Sequence, residues 1–139
     1  AHVRGGFLHL AHNTDRAALT RAVLEGVTHA LRDSFDAMTQ TGTKIDSLIA
    51  VGGGSKSDYW LKAIATSLNM PIQIPAAGDF GGALGAARLG RMAATGEGAE
   101  LAVPPPISRV IEPDVHLVDT FAEAHARYAD TYRAVKHLR

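Results

Sequence analysis

The stretch Ile49-Ala50-Val51-Gly52-Gly53-Gly54-Ser55-Lys56-Ser57-Asp58-Tyr59-Trp60 joins an apolar run to three glycines, then to a polar corner that opens a helix. This order of residue types lets a backbone come close to a nucleotide. Side chains are absent where a strand ends, and free N–H groups at the following helix start can face phosphate or ribose oxygens. The same order also suits a tight turn with a purely structural role, so the residues alone leave both readings open.

Two familiar glycine loops are poor fits. A Walker A loop needs glycine immediately before its lysine, and Ser55 precedes Lys56. In the dinucleotide pattern G-x-G-x-x-G, Ser57 stands where the last glycine belongs, and the next strand closes on Pro75-Ala76 instead of an acid for the ribose. Lys56 can reach a phosphate or, as lysines usually do, point to solvent. Asp58 and Asp79 are the carboxylates a phosphoryl-transfer base would need, but each begins a helix, where a carboxylate caps exposed N–H groups. His9 and His12 are three apart with no third ligand at metal spacing, and His116, His125 and His137 are dispersed, so no metal site is expected. Tyr59 and Trp60 can stack on adenine or pack as core; Phe121, Tyr128 and Tyr132 read as core or a docking face.

The elements that must position these groups alternate between helix and strand. Asn13-Thr14-Asp15 supplies capping side chains for a helix running to about Met38, with Leu19, Ala22, Val23, Gly26, Val27, Ala30 and Leu31 recurring at helical spacing. Residues 46–51 read as a buried strand, Asp58 to about Leu68 as a helix, and Pro71–Pro75 as a short strand better suited to a sheet edge than to its centre. Gly78-Asp79-Phe80-Gly81-Gly82 opens a further helix to about Thr95, rich in small residues. Residues 97–118 read as an irregular linker stiffened by Pro104-Pro105-Pro106. Thr120-Phe121-Ala122-Glu123 has the form of a capping box before a closing helix over 119–139. Two clear strands are too few for this many helices, since a two-stranded sheet rarely stands alone in water. An α/β domain lacking some of its strands is implied, together with exposed apolar surface and self-association through the incomplete sheet.

Composition bounds the function. The chain of 139 residues is 46% hydrophobic, and its 14 Lys+Arg balance 14 Asp+Glu, which removes the electrostatic warrant for nucleic-acid or acidic-membrane binding. It contains no cysteine, so disulfide scaffolds and thiolate metal sites are excluded. With no apolar run of membrane length and no secretory segment in view, the cytoplasm is the expected location.

Three stretches tip the balance between a turn and a nucleotide cradle. Arg21–Val27, Gly52–Trp60 and Gly78–Ala87 occur in an order and spacing that resemble the FGGY carbohydrate kinases, and the likeness covers about residues 4–95. The resemblance implies a ribonuclease-H-like domain of the actin and hexokinase ATPase type, here partial: residues 1–96 from the C-terminal nucleotide-binding domain, then the linker, then a helix packing on the same domain. It places Gly53 and Gly54, with Gly52, against the α-phosphate and ribose of ATP or ADP, and Ser57 near the adenine. The corner Gly81-Gly82 would pack behind them. The family's catalytic aspartate, and an acidic glycine/threonine loop that handles phosphates and Mg²⁺, belong to the upstream part. The nearest string here, Gln40-Thr41-Gly42-Thr43, lacks the acid. No catalytic residue is therefore assigned to this chain, and the N-terminal half of the same kinase is its implied partner. The implied reaction is phosphorylation of xylulose, or a related ketose or polyol, by Mg-ATP. Kinases of glycerol, ribulose or gluconate, and a non-catalytic module on the same scaffold, remain alternatives. One local departure stands out: relatives often carry Gly-Leu where this chain has His9-Leu10, and His-Thr near His12-Asn13-Thr14.

Overall fold

The computed structural model of the chain describes residues 4–76 and 81–137. Helix α1 spans Arg16–Gln40 and starts where Asp15 accepts a hydrogen bond from the Ala18 amide. It ends at Thr41, with Gly42 at φ 85° turning the chain. A short strand β1 (Leu48–Ile49) leads into a 3₁₀ turn over Gly53–Lys56 and then into α2 (Asp58–Leu68), which closes on Asn69 in the left-handed conformation. Strand β2 (Ile72–Pro75), helix α3 (Gly81–Thr95), a 3₁₀ turn at Ala99–Leu101, strand β3 (Ile107–Ile111) and helix α4 (Val118–Val135) complete the described order.

The three strands form one sheet in the order β1-β2-β3. Strand β1 runs parallel to β2, with Leu48 opposite Ile72 and Ile49 opposite Gln73, and α2 is the crossover such a pairing requires. The pairing runs one residue beyond the strand, since the Ala50 amide donates to the Gln73 carbonyl at 2.9 Å. Strand β3 lies antiparallel on the other side of β2.

Three sequence expectations are corrected here. The proline-bracketed strand was expected at an edge, yet β2 is the middle strand. Pro71 lies just outside it, and the missing N–H of Pro75 falls where the register with β3 shifts between Ile74 and Pro75, so neither proline interrupts the ladder. The segment expected to be irregular contains β3, whose Ile107, Val110 and Ile111 are the β-branched residues a strand favours. The closing helix also begins at Val118, with Leu117 at the cap position, so Thr120 and Glu123 lie inside it and form no capping box.

A small core holds these pieces together. Leu61 and Ala65 of α2 bury themselves against Ile72 and Ile74 of β2, with Leu48, Ala50, Ile64 and Ile111 packed around them. Burying a side chain such as Leu61 stabilises by about 1.5–3 kcal/mol. Polar clamps then fix the neighbours to α2. Thr66 Oγ1 accepts from the Asp114 amide at 3.0 Å, Lys62 donates to the Glu112 carbonyl at 2.8 Å, and Arg32 of α1 donates to the Ser67 carbonyl.

Helix α1 meets its neighbours through its polar side. Thr28 and His29 are its buried residues, whereas Val23, Val27 and Leu31 of the apolar stripe stay 52%, 43% and 42% exposed. Ile49 and Val51 beside the glycines are about half exposed as well. The apolar surface expected of a partial sheet is therefore present. An apolar groove of about 540 Å³ opens between α1 and β1, walled by Leu31, Phe35, Met38, Leu48, Val51 and Trp60. Among the described residues, no helix is long and apolar enough to cross a membrane.

Candidate functional site

The glycine corner follows β1 and precedes α2, as the sequence order requires, but its three glycines are there for three different reasons. Gly52 has φ 83° and ψ −176°, a backbone conformation that residues with a side chain scarcely adopt. Gly54 faces Trp60: a Cβ there would stand 2.9 Å from the indole Cζ3. Gly53 has neither constraint. Its φ lies outside the left-handed region, and a Cβ built on it would meet nothing within 4 Å. Gly53 is exposed, so its backbone is open to a ligand from solvent.

Local hydrogen bonds hold the turn in place. Buried Ser55 donates from Oγ to the Gly52 carbonyl at 2.7 Å, its amide donates to the same oxygen at 3.1 Å, and the Ser57 amide donates to the Gly54 carbonyl at 3.2 Å. Ser57 is the N-cap of α2, its Oγ accepting from the Trp60 amide at 3.3 Å. That bond uses one lone pair and leaves the hydroxyl proton available to a ligand. The cap of α2 is thus Ser57 and not Asp58, which was expected to cap. Asp58 instead pairs with Arg109 of β3 at 2.5 Å, and this hydrogen bond holds its carboxyl below the usual carboxylate range. A carboxylate so engaged is a poor general base. Asp79, with Gly78 and Phe80, lies outside the described residues. Gly81, the first described residue of the second corner, abuts the first one: a Cβ on it would lie 3.4 Å from Val51 and 3.5 Å from the Gly52 amide nitrogen.

Behind the corner, α1 and α2 are joined by polar contacts. The Trp60 indole N–H donates to Thr28 Oγ1 at 3.1 Å, and Thr28 donates onward to the Leu24 carbonyl at 2.9 Å. The Tyr59 hydroxyl donates to Glu25 at 2.8 Å, and Arg21 reaches the same carboxylate oxygen at 2.7 Å. Burial, reinforced by the Glu25 bond, raises the Tyr59 pKa above its ordinary value. Trp60 therefore has its polar atom engaged inside the protein, and Tyr59 is tied to α1.

Among the described residues, the histidines separate into two groups. His9, His12, His116 and His137 are exposed, and His9 holds φ 57°, a conformation natural to glycine. His125 lies 2.7 Å from Asp33. Sequence reasoning passed over His29, which is 6% exposed and packed between the rings of Tyr128, His125 and Phe121 at 5.5, 5.9 and 6.2 Å. Its one signal was its place beside Thr28 on the polar side of α1. Among the described residues, no three His, Cys, Asp or Glu side chains converge as metal ligands.

The corner thus offers an exposed backbone, a helix N-terminus and a hydroxyl proton, which together can hold phosphate and sugar oxygens. Residues 1–94 match the C-terminal domain of the FGGY family of carbohydrate kinases, and the chain belongs to that family. Within it, the chain resembles the C-terminal part of xylulose kinases. It is 34% identical to the xylulose kinase of Klebsiella pneumoniae over 97% of its own length and 28% of that protein's. The crystal structure of a xyloylose kinase from Brucella ovis matches all of the chain with TM-score 0.86 and 54% identity, over 30% of that chain. The gluconate kinase of Lactobacillus acidophilus matches with TM-score 0.78 and 25% identity, over 98% of this chain and 28% of that one. The chain spans less than a third of the length of these relatives.

Proposed function

We propose that the chain supplies part of the ATP site of a sugar kinase, one that transfers the γ-phosphoryl group of Mg-ATP to D-xylulose or a related ketose or polyol. The observation that carries this reading is Gly53. Its neighbours Gly52 and Gly54 are glycine because the fold demands it, whereas a side chain on Gly53 would meet nothing within 4 Å among the described residues. A ligand backing onto that backbone supplies a reason for the glycine.

In this reading Gly53 and Gly54 face the α-phosphate and ribose, Gly52 shapes the turn, and the Ser57 hydroxyl donates near the adenine. The N-terminus of α2 adds its partial positive charge. The residues present fit the nucleotide half of Mg-ATP. The bound Mg²⁺ would neutralise phosphate charge during transfer, and its protein ligands belong to the rest of the enzyme. The general base belongs there too, in the N-terminal half of the same polypeptide, which also covers the exposed apolar surface beside β1 and α1. The three-stranded sheet with its helices is then one portion of a ribonuclease-H-like domain, and the chain by itself lacks the groups for turnover.

Sugar choice is open to the same test. A gluconate kinase shares the fold, so this portion of the scaffold serves more than one acceptor. The full-length polypeptide should consume ATP fastest with D-xylulose in a panel that includes ribulose, glycerol and gluconate. Fastest turnover with another acceptor would reassign the substrate. A folded protein that binds ATP yet phosphorylates none of them would favour a non-catalytic module, and one that responds to NAD(H) but not ATP would overturn the kinase reading.

A further inference from the structure

We infer that Trp60 is a positioning residue for the glycine corner: its indole, fixed to α1 through Thr28, sets where the Gly53–Gly54 backbone meets the nucleotide. The inference rests on the nucleotide reading above. Two points of the corner, Gly54 and Ser57, meet this one residue. The six-membered edge of the ring lies under Gly54, with Cζ3, Cε3 and Cη2 at 2.9, 3.4 and 3.8 Å from the place a Cβ would take. The Trp60 amide donates to Ser57 Oγ. Gly53 directly precedes Gly54, and a Cβ built on it would meet nothing within 4 Å, so its position follows that of Gly54.

The ring cannot swing freely, because its single polar atom has one partner. Trp60 Nε1 donates to Thr28 Oγ1, a fully buried hydroxyl whose own proton goes to the Leu24 carbonyl. The donor and the acceptor roles of that hydroxyl are both used, so the relay from the α1 backbone to the corner is fully satisfied. Loss of the Thr28 oxygen leaves a part-buried indole N–H without an acceptor and frees the ring to move. Gly54 then moves with the ring that supports it, and Gly53 with Gly54.

Steady-state kinetics on the full-length kinase polypeptide test the idea with four variants. Thr28→Val keeps the shape and removes the acceptor, Thr28→Ser keeps the hydroxyl, Trp60→Phe keeps a ring and removes the N–H, and Gly53→Val obstructs the nucleotide face directly. Thr28→Val and Trp60→Phe should each raise KM for ATP about five- to tenfold, with kcat and the sugar KM within about twofold of the parent. Thr28→Ser should behave as the parent. An unchanged ATP KM in Thr28→Val and Trp60→Phe, beside a raised one in Gly53→Val, overturns the positioning role and leaves the nucleotide reading standing. Equal losses in kcat and both KM values also overturn it, since they report general destabilisation. If Gly53→Val itself leaves ATP KM unchanged, the nucleotide reading fails and the inference falls with it. Should Trp60→Phe not fold, the Thr28→Val and Thr28→Ser pair decides alone.

Discussion

Helices α2 and α3 each follow a glycine-rich corner, and both are rich in small and apolar residues, yet the fold treats them in opposite ways. Helix α2 buries Leu61, Ala63, Ala65, Thr66 and Ser67, while α3, four residues longer, buries none. The difference lies in what surrounds them. Helix α2 sits between β2, α1 and α4 and is clamped to the connection after β3, so this chain completes its environment. Helix α3 is held at its two ends, where Gly81 abuts Val51 and Gly52 and where Arg91 pairs with Glu97 of the connection that follows, and it leaves its small-residue face open. An amphipathic pattern states that a face is to be covered and does not state by what.

The largest expected effect separates the two helices directly. Leu61→Ala should cost about 2–4 kcal/mol in urea unfolding, because it opens a cavity in the core. Leu89→Ala in α3, where the side chain is 67% exposed, should stay within about 0.5 kcal/mol. Equal losses would erase the distinction.

The next effect concerns the contact between α1 and α4, which completes the surroundings of α2. Burial lowers the His29 pKa, and His125 and Arg127 of α4 lower it further against the opposing charges of Glu25 and Asp33 on α1. Tyr128 and Phe121 of α4 present rings to it. A histidine with a depressed folded pKa is held neutral by the fold, so the unfolded chain binds its proton first. Stability should be full above the ordinary histidine value of about 6.5 and fall as pH drops below it toward the lowered folded value. Urea midpoints measured across that window should fall less in His29→Phe than in the parent. Parallel pH profiles would count against the buried neutral imidazole.

The smallest effect asks whether the open face of α3 is truly unused. No atom lies within 4 Å of a Cβ placed on Gly85, so Gly85→Ala in the 139-residue chain should stabilise α3 by about 0.5–1 kcal/mol. In the full-length polypeptide the gain should vanish, because a neighbour packed on the small-residue face would meet the added methyl. The same gain in both would show that the face stays bare.

Much of this fold was legible in the chain. The α1 start at Asp15, α2 over residues 58–68 and α3 ending at Thr95 follow from capping chemistry and helical spacing, which act over a few residues. Strand β3 was not read as one, because its β-branched Ile107, Val110 and Ile111 follow a proline run and are broken by Ser108 and Arg109, and their conformation depends on pairing with β2. The central place of β2 was hidden for the same reason: prolines at its ends argue for an edge until the bulge beside Pro75 is seen. His29 was missed because its significance depends on α4, far along the chain at Phe121, His125 and Tyr128.

The sequence by itself determined the glycine corner, its place between strand and helix, and its family, since composition and order alone carry those. It could not say why each glycine is there. Only the tertiary structure separated Gly52, required by its backbone angles, from Gly54, required by the Trp60 ring, and from Gly53, required by nothing among the described residues. The physical reason is that a missing side chain looks the same in any sequence, while the space it leaves is defined by residues brought there from α1 and α2.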